Sequence, residues 1–220
     1  MSFSQGNYID ALKISKTIPI FKGKGSELEV QNYRPISLLS NIDKIFEKVM
    51  FNRVVDFLNK QKCIFTKQYG FRQKHSTIHA LLDLTEEIRN ALDKNSFAAG
   101  IFLDFQKAFD TVDHQTLLKK LEHYGIRGTA NKWFKSYLKN RMQFVSINGV
   151  SSETILMLLG VPQGSILGPL LFLIYINDFH QSVIYSSARH FADDTNLILC
   201  NKSIKTIQKQ LNIDLKLISK

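Results

Sequence analysis

Two short apolar runs meet at a pair of adjacent acids in His190-Phe-Ala-Asp-Asp-Thr-Asn-Leu-Ile-Leu. Runs of this length read as strands joined by a tight turn, and Asp favours turns. Two neighbouring carboxylates at a hairpin tip repel each other, however, and Asn-Gly or Asp-Gly would turn the chain at less cost. The segment is therefore either a plain turn or a place where negative charge is gathered for use. Carboxylates at strand ends are one way to hold divalent ions, which as hard cations take oxygen ligands. Asp104 raises the same question. It interrupts the end of the nearly continuous apolar stretch 97–105, which reads as a buried strand. An acid closing a buried strand is costly unless it is paired, capped or bound to metal. A capping or turn role is the plain alternative. The combination of a strand-terminal Asp and, about ninety residues later, an Asp-Asp hairpin is more specific than either part.

The remaining pattern sets the fold class. Apolar residues at helical spacing over 42–58 and 76–93 predict helices capped by Ser40 or Asn41 and by Ser76 or Thr77. Residues 114–124 predict a helix that stops at Gly125, and 129–138 a second short one. The alternating stretch 143–150 contains Asn148-Gly149 and is followed by 154–159, which predicts a hairpin. An apolar helix over 165–178 tolerates Pro169 only in its first turn. Ser203 caps a closing amphipathic helix over 204–218, and residues 1–30 read as loosely organised. This mixed order indicates an α+β fold with a largely antiparallel sheet, not a doubly wound parallel one.

With 44% apolar and 22% charged residues, the 220-residue chain has the material for a packed core, which excludes disordered and fibrous classes. Cys63 and Cys200 make no disulfide framework and suggest a reduced, intracellular setting. The longest apolar run, 166–176, is too short for a bilayer, which takes about 20 residues. The first residues show neither the basic nor the apolar region of a secretory signal. The formal charge is +10, and it is uneven: net +7 over 1–80, +1 over 81–160 and +2 over 161–220. A polyanion-facing surface is therefore expected in the N-terminal third, although a merely soluble basic surface gives the same count. Trp133 and the Phe and Leu residues of 165–176 read as core. His75 and His79 stand at i, i+4, but no further ligands at useful spacing make them a zinc site. Asp110 and Asp113 read as a helix entry signal.

A third stretch that could carry chemistry is Gly160-Val-Pro-Gln-Gly-Ser-Ile-Leu-Gly-Pro-Leu, a shaped loop entering a helix. Gly164 permits close backbone approach to a ligand, and Gln163 can hydrogen-bond a base or sugar edge, though a structural loop is the plain alternative. Five segments then occur in one order: Asn32-Tyr-Arg-Pro-Ile-Ser-Leu-Leu, Gln68-Tyr-Gly-Phe-Arg-Gln-Lys-His-Ser-Thr, Leu103-Asp-Phe-Gln-Lys-Ala-Phe-Asp, Gly160-Val-Pro-Gln-Gly-Ser-Ile-Leu-Gly-Pro and Phe191-Ala-Asp-Asp. From about residue 18 onward the chain resembles the reverse transcriptase domain of non-LTR retrotransposons, jockey-like elements above all.

The resemblance implies a right-hand polymerase, with an extension at 1–17, fingers at 18–96 and a palm at 97–220 to which 125–160 adds part of the fingers. It implies that Asp104, Asp193 and Asp194 are catalytic acids holding two Mg²⁺ ions, or Mn²⁺ in their place. Phe109 matches the aromatic gate against the ribose 2′-OH. Gln163 and Gly164 match a loop near template and incoming nucleotide. Arg34 matches a fingers arginine on the triphosphate, with Lys22 or Lys24 as a further contact. Arg72 and Lys74 are expected on the template backbone. The partners implied are an RNA template, a DNA primer and dNTPs, with no membrane, in cytoplasm and nucleus. Phe191 stands where the family usually has tyrosine, which keeps the ring and loses a hydroxyl. The family's primer grip, thumb and endonuclease do not follow within 220 residues, so the chain is expected to be a fragment or decayed copy that is inactive alone.

Overall fold

The computed structural model describes residues 1–219. In chain order its elements are α1 (Ser2–Gln5), β1 (Ile14–Phe21), β2 (Tyr33–Leu38), α2 (Asn41–Lys60), α3 (Thr77–Asp93), β3 (Phe97–Leu103), α4 (His114–His123), α5 (Gly128–Leu138), β4 (Met142–Ile147), β5 (Val150–Ser151), β6 (Ile155–Leu156), α6 (Leu167–Ile176), β7 (Ser187–Phe191), β8 (Asp194–Asn201) and α7 (Ile204–Ile218). They divide into two compact units that interleave along the chain. Unit 1 takes Met1–Cys63 and Lys107–Tyr175; unit 2 takes Ile64–Gln106 and the chain from Ile176 onward. The fingers–palm boundary expected at 96/97 falls inside unit 2, between α3 and β3.

Unit 1 is built on a sheet of order β2-β1-β4-β5, with β6 also paired to β4. The β1–β2 pair is antiparallel and β1–β4 parallel, so one of its ladders departs from the antiparallel expectation. The presence of β1 corrects the reading of residues 1–30 as loosely organised: residues 14–17 gain a partner more than a hundred positions away. The β4–β5 turn is the expected Asn148-Gly149, with φ of 49° and 84°. Its core gathers Trp133, Phe134, Tyr137, Leu117, Leu121 and most of α6, all nearly inaccessible to solvent. Each buried aliphatic side chain there is worth about 1.5–3 kcal/mol of transfer free energy.

Into this core α2 projects two acids. Ser40 caps α2 by accepting from the Asp43 amide at 3.0 Å. Asp43 and Glu47, one turn apart, are fully buried with Arg141. The Tyr8 hydroxyl donates to Asp43 and that of Tyr137 to Glu47, and Arg141 lies 3.6 Å from Asp43. Burial pushes the Asp43 carboxyl up to about 6, against the pull of Arg141, and raises Glu47 as well. Glu47 reaches the start of α6, where it accepts from the Ile166 amide at 2.6 Å. A carboxylate there meets an otherwise unpaired donor and the positive end of the helix dipole.

Unit 2 carries an antiparallel sheet of order β3-β8-β7 with α3 and α7. Ser76 and Ser203 cap the two helices as expected. Strand β3 is not the buried strand expected: Phe97 is 50% and Phe102 70% exposed. It lies at one edge of an antiparallel sheet, a type that can leave one face to solvent. In α7, Asp214 is buried and accepts from the amides of Ile184 and Ser186 and from the Ser186 hydroxyl, which together hold its carboxyl below the usual range despite desolvation.

Candidate active site

The β3–β8 ladder carries the acids. Its last registered pair is Leu103 with Thr195, so the next step along it sets Asp104 opposite Asp194. Asp104 and Asp194 line one cleft of about 360 Å³ with Phe102, Leu103 and Asn196. Both are exposed, which corrects the expectation of an acid closing a buried strand. Partial desolvation, then the charge of Asp193, then that of Asp104 raise the Asp194 carboxyl above its ordinary value. Asp194 thus feels two neighbouring carboxylates at one sheet end, a gathering of negative charge that is unfavourable without a cation and favourable with one.

The hairpin between β7 and β8 has Phe191 opposite Asp194, leaving Ala192 and Asp193 as its two-residue loop. Ala192 sits at φ 58°, a conformation that costs a non-glycine residue about 1–2 kcal/mol. The segment 67–70 runs beside the loop. The His190 amide donates to the Lys67 carbonyl at 3.0 Å and the Tyr69 amide to the His190 carbonyl at 2.8 Å, making a parallel bridge. Gln68 is 2% exposed, and its Oε1 accepts from the Gly70 amide at 2.8 Å and from the Ala192 amide at 3.3 Å. A Cβ on Gly70 would stand 2.0 Å from the Ala192 nitrogen, so only glycine lets the two backbones approach.

Arg72 is half-buried in the same segment. Its Nη1 donates to the carbonyls of Phe65 at 3.0 Å and Gln68 at 3.2 Å, so it closes a turn rather than standing free towards a template. Lys74, by contrast, is exposed, with φ 62°.

Within unit 1, the Gln163 side-chain amide donates to Asp110 at 2.8 Å, and the main-chain carbonyl of Gln163 accepts from the Ser37 amide at 2.6 Å. Gly164 has φ 109°, and a Cβ there would lie 2.7 Å from the Ser37 carbonyl. Ser37 belongs to β2, the strand that bears Arg34, which is exposed. Phe109 stacks on Phe172 with ring centroids 5.0 Å apart, and its carbonyl accepts from the Val161 amide at 2.8 Å. Asp113 caps α4, accepting from the Thr116 amide at 2.7 Å, as a helix entry signal should. Asp110 does something else, orienting Gln163, and this corrects its reading as part of that signal. Sequence reasoning also missed Gln68, Gly70 and Glu47. The Gly in Gln68-Tyr-Gly-Phe-Arg was the available signal for a close approach.

An antiparallel sheet thus carries three acids at one end, a hairpin pair next to a strand-terminal Asp. The chain belongs to the reverse transcriptase (RNA-dependent DNA polymerase) family, whose description matches residues 21–219. It is 33% identical over 216 residues to a probable RNA-directed DNA polymerase from transposon BS of Drosophila melanogaster, covering 90% of this chain and 23% of that protein. It is 33% identical over 209 residues to the RNA-directed DNA polymerase from mobile element jockey of the same fly, covering 90% and 22%. The chain thus spans less than a quarter of the length of these relatives. Apo telomerase from Candida tropicalis shares the fold at a TM-score of 0.64 and 12% identity, over 91% of this chain and 41% of that one. The α+β fold class read from the element order therefore holds. No helix among the described residues is long and apolar enough to cross a membrane.

Proposed function

We propose that the chain adds dNTPs to the 3′-OH of a DNA primer along an RNA template, as the polymerising part of a non-LTR retrotransposon reverse transcriptase. The observation that carries this reading is Asp104 and Asp194 lining one cleft at the end of the β3–β8 ladder, with Asp193 adjoining in the turn. The donor set suits divalent metal. Among the described residues no group of three or more His, Cys, Asp and Glu side chains forms a ready-made metal cage. Mg²⁺ needs none, because it commonly takes one or two carboxylates and completes its shell with water and substrate phosphate oxygens. Two Mg²⁺ ions, or Mn²⁺ in their place, would when bound activate the primer hydroxyl and neutralise charge on the triphosphate.

The chain's own residues supply position and charge. Asp104, Asp193 and Asp194 offer fixed carboxylate oxygens at one sheet end. Gln163, with its amide hydrogens turned to Asp110, keeps a carbonyl oxygen to accept from a nucleotide or template edge. Arg34 offers a planar guanidinium to phosphate oxygens. Phe109 sets its ring against a 2′-OH, and Lys74 screens template phosphate. The fingers at 18–96 and the palm at 97–220 belong to this reading, as does an intracellular site of action.

The test is primer extension on a homopolymeric RNA template with Mg²⁺ or Mn²⁺, run beside Asp104→Asn and Asp193→Asn. Template-directed extension that both substitutions abolish is expected. Extension that survives either one overturns the proposal, and none by the unaltered chain with either ion assigns it instead to the inactive fragment expected above.

A further inference from the structure

We propose that Gln68 is a positioning residue for the acid hairpin, holding the Ala192–Asp193 loop so that its carboxylates face their ion. The inference rests on the metal-binding role proposed above for Asp104, Asp193 and Asp194. Ala192 is 6% exposed, so its amide is out of reach of bulk water and needs an acceptor. Gln68 Oε1 is that acceptor, and it is shared with the Gly70 amide, which ties the hairpin tip to a second, independent backbone segment. Because both neighbours are N–H donors, the Gln68 atom facing them is the oxygen and not the nitrogen.

The segment that presents Gln68 is itself fixed from three sides. Lys67 and Tyr69 exchange backbone hydrogen bonds with His190 on β7. Arg72 holds the Gln68 carbonyl. Gly70 carries no Cβ, which closes the gap to Ala192. A short loop with a left-handed alanine has other conformations open to it, and each would swing Asp193 away. The residue type follows from the surroundings. Glutamate would also accept but would add a fourth negative charge near three carboxylates. Asparagine falls one methylene short. Partners one layer behind metal ligands typically change metal affinity about 10–100-fold when removed.

The experiment measures Mn²⁺ binding to the full chain by electron paramagnetic resonance, with thermal unfolding followed alongside. Asp104→Asn and Asp193→Asn are the controls. Gln68→Met keeps the length and removes the acceptor; it is expected to weaken Mn²⁺ about tenfold or more. Gln68→Glu retains an accepting oxygen and is expected to bind Mn²⁺ at least as well as the unaltered chain. Adding Ala192→Gly to Gln68→Met lets the loop take its left-handed form without help, and is expected to recover part of the loss. A general packing defect would not be recovered this way. Mn²⁺ affinity in folded Gln68→Met within twofold of the unaltered chain overturns the inference while leaving the metal reading intact. An unaltered chain whose Mn²⁺ binding ignores both acid controls overturns the metal reading and this inference with it. If Gln68→Met does not fold, Gln68→Asn carries the same expected loss and the same overturning result.

Discussion

The side chain of Gln163 is oriented by Asp110: its amide nitrogen donates to the Asp110 carboxylate at 2.8 Å, while the main-chain carbonyl of Gln163 accepts from the Ser37 amide. A charged acceptor makes this one of the stronger side-chain hydrogen bonds, worth about 1.5–3 kcal/mol. Asp110→Ala should free the Gln163 amide to rotate and raise the dNTP KM about tenfold, with kcat less affected. Asp110→Asn keeps a carbonyl oxygen at the same place and should stay within a few-fold of the unaltered chain. Steady-state primer extension over a dNTP range checks both. Equal behaviour of the two variants would remove Asp110 from nucleotide binding.

Phe109 stands at neither a free surface nor a closed core, since it is half-buried and stacked on Phe172. Under the gate reading, Phe109→Ala lowers discrimination between dNTP and rNTP by at least tenfold, measured as the ratio of kcat/KM values. Under a packing role alone the same change lowers the unfolding temperature and leaves the ratio alone. Complete burial would make the loss about 3–5 kcal/mol, and half-burial makes it smaller.

Much of this fold is legible in the sequence because its signals are local. Ser40, Ser76, Asp113 and Ser203 each cap the helix they precede, and Asn148-Gly149 turns the hairpin it announces. What sequence reading misses is set by partners far along the chain. Strand β1 carries Lys16, Thr17 and Pro19 and has no clean alternation; it is a strand because β2 and β4 pair with it. Asp43 and Glu47 look like the solvated face of α2 until Tyr8, Tyr137 and Arg141 are brought to them. For the candidate site, the spacing of acids points to Asp104, Asp193 and Asp194. Nothing local says that Gln68 touches the hairpin more than a hundred residues away.

Two buried groups should give the two units opposite pH responses. Burial, and then the charge of His180, pushes the His190 imidazole down to about 4. An unfolded histidine titrates near 6.5, so the stability this group contributes to unit 2 is complete above about 6.5 and is lost as pH falls towards 4. Asp43 in unit 1 is raised to about 6, so its contribution is complete below about 4 and is lost as pH rises through 6. Native-state hydrogen exchange resolves the units separately. Between pH 6.5 and 4, protection in β7 and β8 should fall while protection in α2 rises. A His190 imidazole that titrates by NMR near pH 6.5 would sink the first half of this prediction.

The basic charge of the first 80 residues predicts a salt-dependent affinity for primer–template, but the structure divides the two residues expected to supply it. Each phosphate neutralised contributes roughly 0.7–0.9 to the slope of log affinity against log salt. Lys74 is exposed, so Lys74→Ala should lower that slope by about this amount while leaving the unfolding temperature nearly unchanged. Arg72 is half-buried and spends its Nη1 on the carbonyls of Phe65 and Gln68. Arg72→Ala should therefore loosen the turn that presents Gln68, lowering the unfolding temperature and Mn²⁺ affinity together, with a smaller change in slope. Filter-binding titrations between 50 and 200 mM salt, the span over which such contacts show, read the slopes. An Arg72→Ala slope reduced as much as that of Lys74→Ala, in a chain of unchanged stability, would return Arg72 to the template surface.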